Sequence, residues 1–331
     1  MSEADAVRAP VRLAFLGCGG VTASHSRTLR AFKDRVRLLY ASRDASRAEE
    51  FNQRYGGSGA FGSYEAAFAS DEVDAVLVAT PPDSHLDLTR AALRAGKHVI
   101  VEKPPFPRAA DADVVGAEAE RQRRQVLVAE NYFYKPVAET LRRIIASGDL
   151  GEIRFLDVKA LKTQRTGDWR DEPARALGGA LYEGGIHWIN FMANLGLTPE
   201  RVEAFRPGKG TGLERSLLLA VQYAEGATGT LAFSWEIPSA AKGMRLSRIY
   251  GSEGSVAFES NGLFVAQFGR RRRLTFPGVR DLNGSRAMFD DFLTALVQGR
   301  PPRFTLSAAR RDLELIERAY ASAGITSLHT T

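Results

Sequence analysis

The sequence predicts an α/β chain in two unlike parts: a parallel sheet with helices on both faces up to about residue 130, then an α/β part on a mostly antiparallel sheet. Three observations predict it. From Val11 to about Ala129 short apolar runs alternate with longer amphipathic ones, as βαβ units require. Beyond Asn131, strand-like segments follow one another with turn residues between them, as antiparallel neighbours require. The length of 331 residues suits two domains at ~100 to 200 residues each, here 1–130 and 131–331.

In the first part the strands read as Val11 to Leu16, Val36 to Ala41, Ala75 to Ala79, His98 to Val101 and Val126 to Ala129. Most are continuous apolar runs, expected where both faces are covered. Ser46-Arg47-Ala48-Glu49 reads as a capping box opening a helix that stops at Gly56-Gly57, Ser63 caps the next helix, and Ser84 caps one running to Ala95-Gly96. In the second part a helix from Pro136 to Ser147 leads through Gly151 into strands Ile153 to Leu161, Leu217 to Tyr223, Thr228 to Trp235, Ser255 to Phe258 and Leu263 to Phe268. Arg286 to Gln298 carries Phe289, Phe292, Leu293, Leu296 and Val297 at helical core spacing. A last helix from Ser307 to Ala323 is expected to fold back onto the first domain.

Composition narrows the function. With 44% apolar and 25% charged residues, disordered, collagen-like and disulfide-scaffold classes are excluded. No apolar run approaches the length of a membrane span, and Met1-Ser2-Glu3-Ala4-Asp5 lacks the features of a signal peptide. A cytoplasmic protein with no membrane partner is expected. The lone Cys18 forms no internal disulfide. Forty-five basic against 39 acidic residues leave net +6, which attracts nucleic acid, anionic lipid or a phosphorylated small molecule without choosing among them. The densest basic run, Arg270 to Arg273, lies between strand-like segments and reads as a solvated hairpin tip. With no recognition helix or RNA motif beside it, no nucleic-acid partner is expected.

Three strand ends carry chemistry. Gly17-Cys18-Gly19-Gly20-Val21-Thr22 follows the first strand and precedes a helix, where glycines turn tightly and let backbone amides meet a pyrophosphate. Thr22 stands where a smaller residue usually sits, and its hydroxyl is a further candidate phosphate donor. At the end of the next strand an acidic residue would grip the ribose 2′-hydroxyl of NAD. Ser42 takes that register position and Arg43 follows, a hydroxyl and a guanidinium suited to a 2′-phosphate. NADP is therefore expected over NAD, the alternative being that Asp44 holds the ribose from one residue later. Glu102-Lys103-Pro104 ends the central strand at His98 to Val101, so Lys103 is placed to donate to a substrate oxygen. Glu102 either pairs with Lys103 or contacts the cofactor ribose.

These segments, with Ala79-Thr80-Pro81-Pro82-Asp83-Ser84-His85, Ala95-Gly96-Lys97-His98-Val99 and Gly178-Gly179-Ala180-Leu181-Tyr182-Glu183-Gly184-Gly185-Ile186-His187, resemble the Gfo/Idh/MocA family of NAD(P)-dependent sugar and polyol oxidoreductases. The resemblance implies a Rossmann domain followed by an α/β domain whose large open sheet makes a homodimer or homotetramer interface. It places the catalytic lysine on Lys103 and the histidine acid/base on His187. The family's aspartate four residues before that histidine is Glu183 here, to orient the histidine or bind a substrate hydroxyl. Thr80, Pro81 and His85 fall on the loop lining the nicotinamide side, and Asn131 and Tyr134 fall where the nicotinamide ribose or substrate is met. Lys162, Trp169 and Arg170 suit a sugar ring or an acidic group on it, and no metal is expected. The expected reaction is reversible hydride transfer between NADP and a secondary carbinol or ketone carbon of a sugar, polyol or related carbonyl compound. The alternatives are a redox-assisted glycoside hydrolase or dehydratase that retains its cofactor, and a non-catalytic NADP-binding regulator.

Overall fold

The computed structural model describes residues 9–167, 169–210, 212–238, 244–278 and 280–325, without the side chains of 171, 173 and 174. The residues from Met1 to Asp5 lie outside these. Contacts divide the chain into two units.

The first unit takes in the chain to Phe106, Ala110–Ala129 and Arg286–Ser307. Its six parallel strands, β1 (Val11–Leu16), β2 (Val36–Ala41), β3 (Gly59–Phe61), β4 (Ala75–Val78), β5 (His98–Val101) and β6 (Val126–Val128), lie in the order β3-β2-β1-β4-β5-β6. The order reverses between β1 and β4, and ligands bind at the carboxyl ends of strands flanking such a switch point. Helices α1 (Gly20–Leu29), α2 (Ala45–Tyr55), α3 (Tyr64–Ala69), α4 (His85–Arg94) and α5 (Ala109–Gln122) connect the strands. The apolar runs behave as a sheet covered on both faces requires: Leu13 to Leu16, Ala75 to Val78 and Val99 to Val101 are all fully buried.

Local signals differ in places from the sequence reading. Strand β3 is three residues long, too short to show a period. Helix α2 is capped by Asp44, whose carboxylate accepts from the amides of Ser46 (3.0 Å) and Arg47 (3.3 Å), so Ser46 lies inside the helix rather than at its cap. Ser63 caps α3 through the amide of Ala66, as expected. Ser84 precedes α4 without capping it, because its hydroxyl bonds to Thr80 Oγ1 (2.7 Å) and Pro81 O (3.0 Å).

The second unit comprises Pro107–Ala109, Glu130–Ser285 and the chain from Ala308. Helix α6 (Pro136–Ala146) leads into β7 (Ile153–Leu161), the middle of an eight-stranded sheet. Short helices α7 (Pro173–Ala176) and α8 (Ile186–Ala193) follow. The sheet is completed by β8 (Pro199–Phe205), β9 (Ser216–Tyr223), β10 (Thr228–Ser234), β11 (Leu246–Gly251), β12 (Gly254–Glu259), β13 (Val265–Gly269) and β14 (Arg273–Thr275), in the order β14-β13-β12-β11-β7-β10-β9-β8. Only the β7–β10 pair is parallel among the named pairings. Strands β8 and β11 were not expected, since each carries several charged or exposed residues that mask the period of two, whereas β14 falls on the strand-like segment read after the basic run. Of the run Arg270 to Arg273 read as a hairpin tip, Arg270 to Arg272 form the exposed connection between β13 and β14, and Arg273 is the first residue of β14.

The two C-terminal helices exchange the places expected of them. It is α9 (Ser285–Gln298), not the last helix, that joins the first unit, where Phe289 sets its ring edge-on to His25 at 5.0 Å and Asp290 pairs with Arg35. Most of α10 (Leu306–Ser322) belongs to the second unit, held there by Asn190 on Asp312 (2.7 Å) and by Tyr320 on the Gly179 amide (3.2 Å).

Candidate active site

The first unit assembles a nucleotide-binding edge. Gly17 turns the chain after β1 with φ +100°, and a Cβ there would sit 3.1 Å from the carbonyl oxygen of Ala79, so only glycine fits. Gly19 precedes α1, and Cβ atoms on Gly19 or Gly20 would meet nothing within 4 Å. That open face at a helix N-terminus is what a pyrophosphate needs. Val21 is exposed beside it. Thr22 is fully buried and donates its hydroxyl to Gly17 O at 2.6 Å; it braces the loop instead of facing a phosphate.

Ser42 and Arg43 follow the end of β2, and Arg43 is exposed. The Ser42 hydroxyl accepts from the Asp44 amide at 3.1 Å, while the Asp44 carboxylate is occupied by the first turn of α2. Those hydrogen bonds, the Ser46 hydroxyl first, hold Asp44 below the usual carboxylate range. Arg47, which sequence reasoning passed over, reaches back from α2 to the carbonyl oxygen of Cys18 at 3.3 Å, adding a second guanidinium beside the glycine loop.

After β5, Glu102 is buried and Lys103 half-buried. Burial drives the Glu102 carboxyl upward, but its hydrogen bond with His25 and the charges of His25 and Lys103 outweigh burial and leave it below its ordinary value. The second oxygen of Glu102 accepts from the Lys103 amide at 3.1 Å. His25, one helical turn past the glycine loop, thus ties α1 to the strand end that carries Lys103. Thr80 and Pro81 are half-buried beyond β4. His85 is 1% exposed, and both its ring nitrogens lie 2.8 Å from carbonyl oxygens, those of Pro104 and Thr80. It clamps the Thr80 loop to the Lys103-Pro104 turn and offers no free face to a nicotinamide.

The second unit positions His187. A π-helical turn, Leu181–Gly185, delivers the chain into α8 with His187 in its first turn. Gly179 is required there because a Cβ would fall 1.4 Å from an oxygen of Glu214. The carboxylate of Glu214 accepts from the Leu181 amide (2.7 Å) and the Tyr320 hydroxyl (2.8 Å). Burial pushes that carboxyl up to about 7.

The carboxylate on His187 is Glu130, with Nδ1 at 2.7 and 2.9 Å from its two oxygens. Such a bond fixes the tautomer and points Nε2 away. Glu183, expected on the histidine or on substrate, is buried and accepts from Arg170 Nε at 3.1 Å, and that guanidinium lies 4.4 Å over the ring of Trp169. Of the aromatic residues near 131–134, Tyr132 rather than Tyr134 meets the histidine: its ring stacks on His187 at 4.3 Å and 14°, whereas Tyr134 is 3% exposed in the core. The Asn131 amide donates to Asn283 O at 2.5 Å. Lys162 follows β7, with its ammonium 6.0 Å from the Trp235 ring centroid. Glu130 follows β6 as Glu102 follows β5, and an acid closing an apolar strand was the signal that could have found it.

Among the described residues no cluster of His, Cys, Asp and Glu is arranged to hold a metal ion, and no helix is long and apolar enough to cross a membrane. Comparison with known proteins gives the lineage. Residues 11–130 match the oxidoreductase family with NAD-binding Rossmann fold, and residues 138–257 match the Gfo/Idh/MocA C-terminal domain. The chain belongs to the Gfo/Idh/MocA oxidoreductase family.

Within that family, trans-1,2-dihydrobenzene-1,2-diol dehydrogenase of Bos taurus is 30% identical over 203 residues, 60% of this chain and 59% of that protein. The match thus spans less than two thirds of that relative. D-xylose 1-dehydrogenase (NADP(+)) 2 of Haloferax volcanii is 27% identical over 86% of this chain and 88% of its own. Among solved structures, GenD2 from gentamicin A biosynthesis, in complex with NAD, superposes with TM-score 0.83 at 25% identity over 96% of this chain and 95% of its own. An oxidoreductase domain protein from Kribbella flavida, at 20% identity, shares the Gfo/Idh/MocA fold with TM-score 0.87 over 96% of this chain and 98% of its own.

Proposed function

We propose that this protein is an NADP-dependent oxidoreductase that moves a hydride between the nicotinamide and a secondary alcohol or ketone carbon of a sugar, polyol or related small carbonyl compound. The observation that carries the cofactor choice is the end of β2. Ser42 and Arg43 stand where a carboxylate would select NAD, and the nearest carboxylate, Asp44, is occupied in capping α2. Arg43 and Arg47 are the candidate partners of a 2′-phosphate, which prefers guanidinium forks. Gly17, Gly19, Gly20 and Val21 present the backbone that would hold the pyrophosphate, with Thr80, Pro81 and Glu102 toward the nicotinamide end. The dehydrogenases among the relatives support the substrate class.

When bound, the cofactor supplies the hydride chemistry at C4 of its nicotinamide. His187 carries the hydroxyl proton at Nε2, since Nδ1 is held by Glu130. A carboxylate there favours the imidazolium that forms as the histidine takes the proton. Lys103 donates to the oxygen on which charge develops, an interaction stronger in the transition state than in the ground state. Glu183 and Arg170, with Trp169 and Lys162, are the candidate contacts for the remaining hydroxyls.

Lys103→Met tests this assignment. It should lower turnover by at least ~100-fold, the scale of a lost acid/base or oxyanion donor, with NADPH affinity nearly intact. Normal turnover in that variant would sink the role.

We also propose a homodimer through the outer face of the eight-stranded sheet. Phe155, Tyr250 and Phe268 lie in one row across neighbouring strands, in register through Ser255, and are 60%, 39% and 51% exposed. Leu218 and Leu274 extend the same face. Contiguous exposed apolar surface of this kind marks an association face.

A further inference from the structure

Lys135 is a buried titratable group that the mechanism leaves unused. It is 3% exposed, and among the described residues its ammonium donates no hydrogen bond and meets no carboxylate within ion-pair distance. Its one close partner is the ring of Tyr132, 4.2 Å from Nζ to the centroid. The imidazole of His187 stacks on the same ring at 4.3 Å. The ammonium and the imidazole thus both pack on the one Tyr132 ring.

We infer that Lys135 is a charge-dependent positioning residue: as an ammonium it holds Tyr132, and through Tyr132 it holds His187 on Glu130. This rests on the reading of His187 as the proton carrier. The hold is a cation–π contact, which needs the positive charge and is strongest where water is excluded. An uncharged amine loses that attraction, and the histidine then loses the plane that orients it.

The surroundings make the charge switchable near physiological pH. Lys135 is lowered to about 8, with burial the largest influence and Arg245 acting in the same direction. Glu259 and Glu130 act the other way. Glu259 does so only at a distance, because its oxygens accept from the amides of Asn261, Gly262 and Leu263. Glu130 is engaged with His187 and with the amide of Tyr132. The ammonium is therefore present below about pH 8 and gives way to the amine above it.

Two substitutions and two readouts test the inference. Lys135→Met removes the charge while keeping a long apolar side chain. It should lower kcat by about tenfold at pH 7, the scale of one desolvated cation–π contact. It should also remove the ring-current displacement that Tyr132 imposes on the His187 ring protons in NMR. Lys135→Arg keeps a charge that no accessible pH removes, so it should retain the His187 signal and carry the alkaline fall in kcat well beyond pH 8. NADPH binding, unchanged in both, verifies folding. A Lys135→Met protein with wild-type kcat and His187 signal would overturn the inference, as would a Lys135→Arg protein with the wild-type alkaline limb. Normal turnover in His187→Gln would instead overturn the proton-carrier reading and leave the NMR result standing.

Discussion

At the residue scale, function turns on which polar groups remain available once the fold has taken what it needs. Asp44, Thr22 and His85 are each plausible ligand contacts by residue type, and each is occupied internally, by a helix cap, a glycine carbonyl and two loop carbonyls. Arg43 is exposed at the end of β2. Its loss should therefore register on the cofactor alone. Arg43→Ala is expected to weaken NADPH ~10- to 100-fold, the scale of one charge-assisted hydrogen bond, and to leave NADH nearly unchanged; equal losses for both would assign Arg43 to something other than the 2′-phosphate. Glycine turns, Ser42-Arg43 and Glu102-Lys103 were legible because short motifs at strand ends carry them. Glu130, Tyr132, Lys135 and His25 were not, because their roles arise from partners up to 77 residues away.

At the element scale, regular apolar runs gave β1, β2, β5 and β7 their bounds in advance, while β8 escaped because charges interrupt its alternation and β11 because it buries Ser247 and exposes Leu246 and Tyr250. Helix α8 shows how an element is tied down beyond its sequence pattern. Asn190, one turn past His187, donates its Nδ2 to Asp312 Oδ2 on α10 at 2.7 Å, while Asn190 Oδ1 and Asp312 Oδ1 are buried without a hydrogen bond. Burial raises Asp312 to about 7, so folding favours its acid form, which supplies a proton for an orphaned oxygen. The folded state then binds more protons than the unfolded chain between the ordinary value of 3.8 and about 7. Stability falls as pH rises through that window and levels above it. Glu214 adds a slope of the same sign. Asp312→Asn, an isostere with a permanent donor, should flatten the decline in melting temperature between pH 5 and pH 8 and raise the value at pH 8. A lower melting temperature for the variant at pH 8 would show that Asp312 acts as a carboxylate paired with Arg311.

At the scale of the whole molecule, the sequence announced two unlike sheets, and the order of each emerged only from the structure. The exchange of roles between α9 and α10 was illegible because both helices carry apolar faces of similar spacing, and nothing local says which sheet each one covers. The outer face of the eight-stranded sheet has a consequence for assembly: replacing Phe155 and Phe268 together with Glu should convert a dimer to a monomer in light scattering while leaving NADPH binding intact. A monomeric wild-type protein would remove that face from the account. The central claim, an NADP-dependent oxidoreductase, is tested most directly by titrating the purified protein with NADPH and NADH and following nicotinamide fluorescence. Tight NADPH and weak NADH binding is the predicted result, and a preference for NADH, or binding of neither with no cofactor carried through purification, would contradict it.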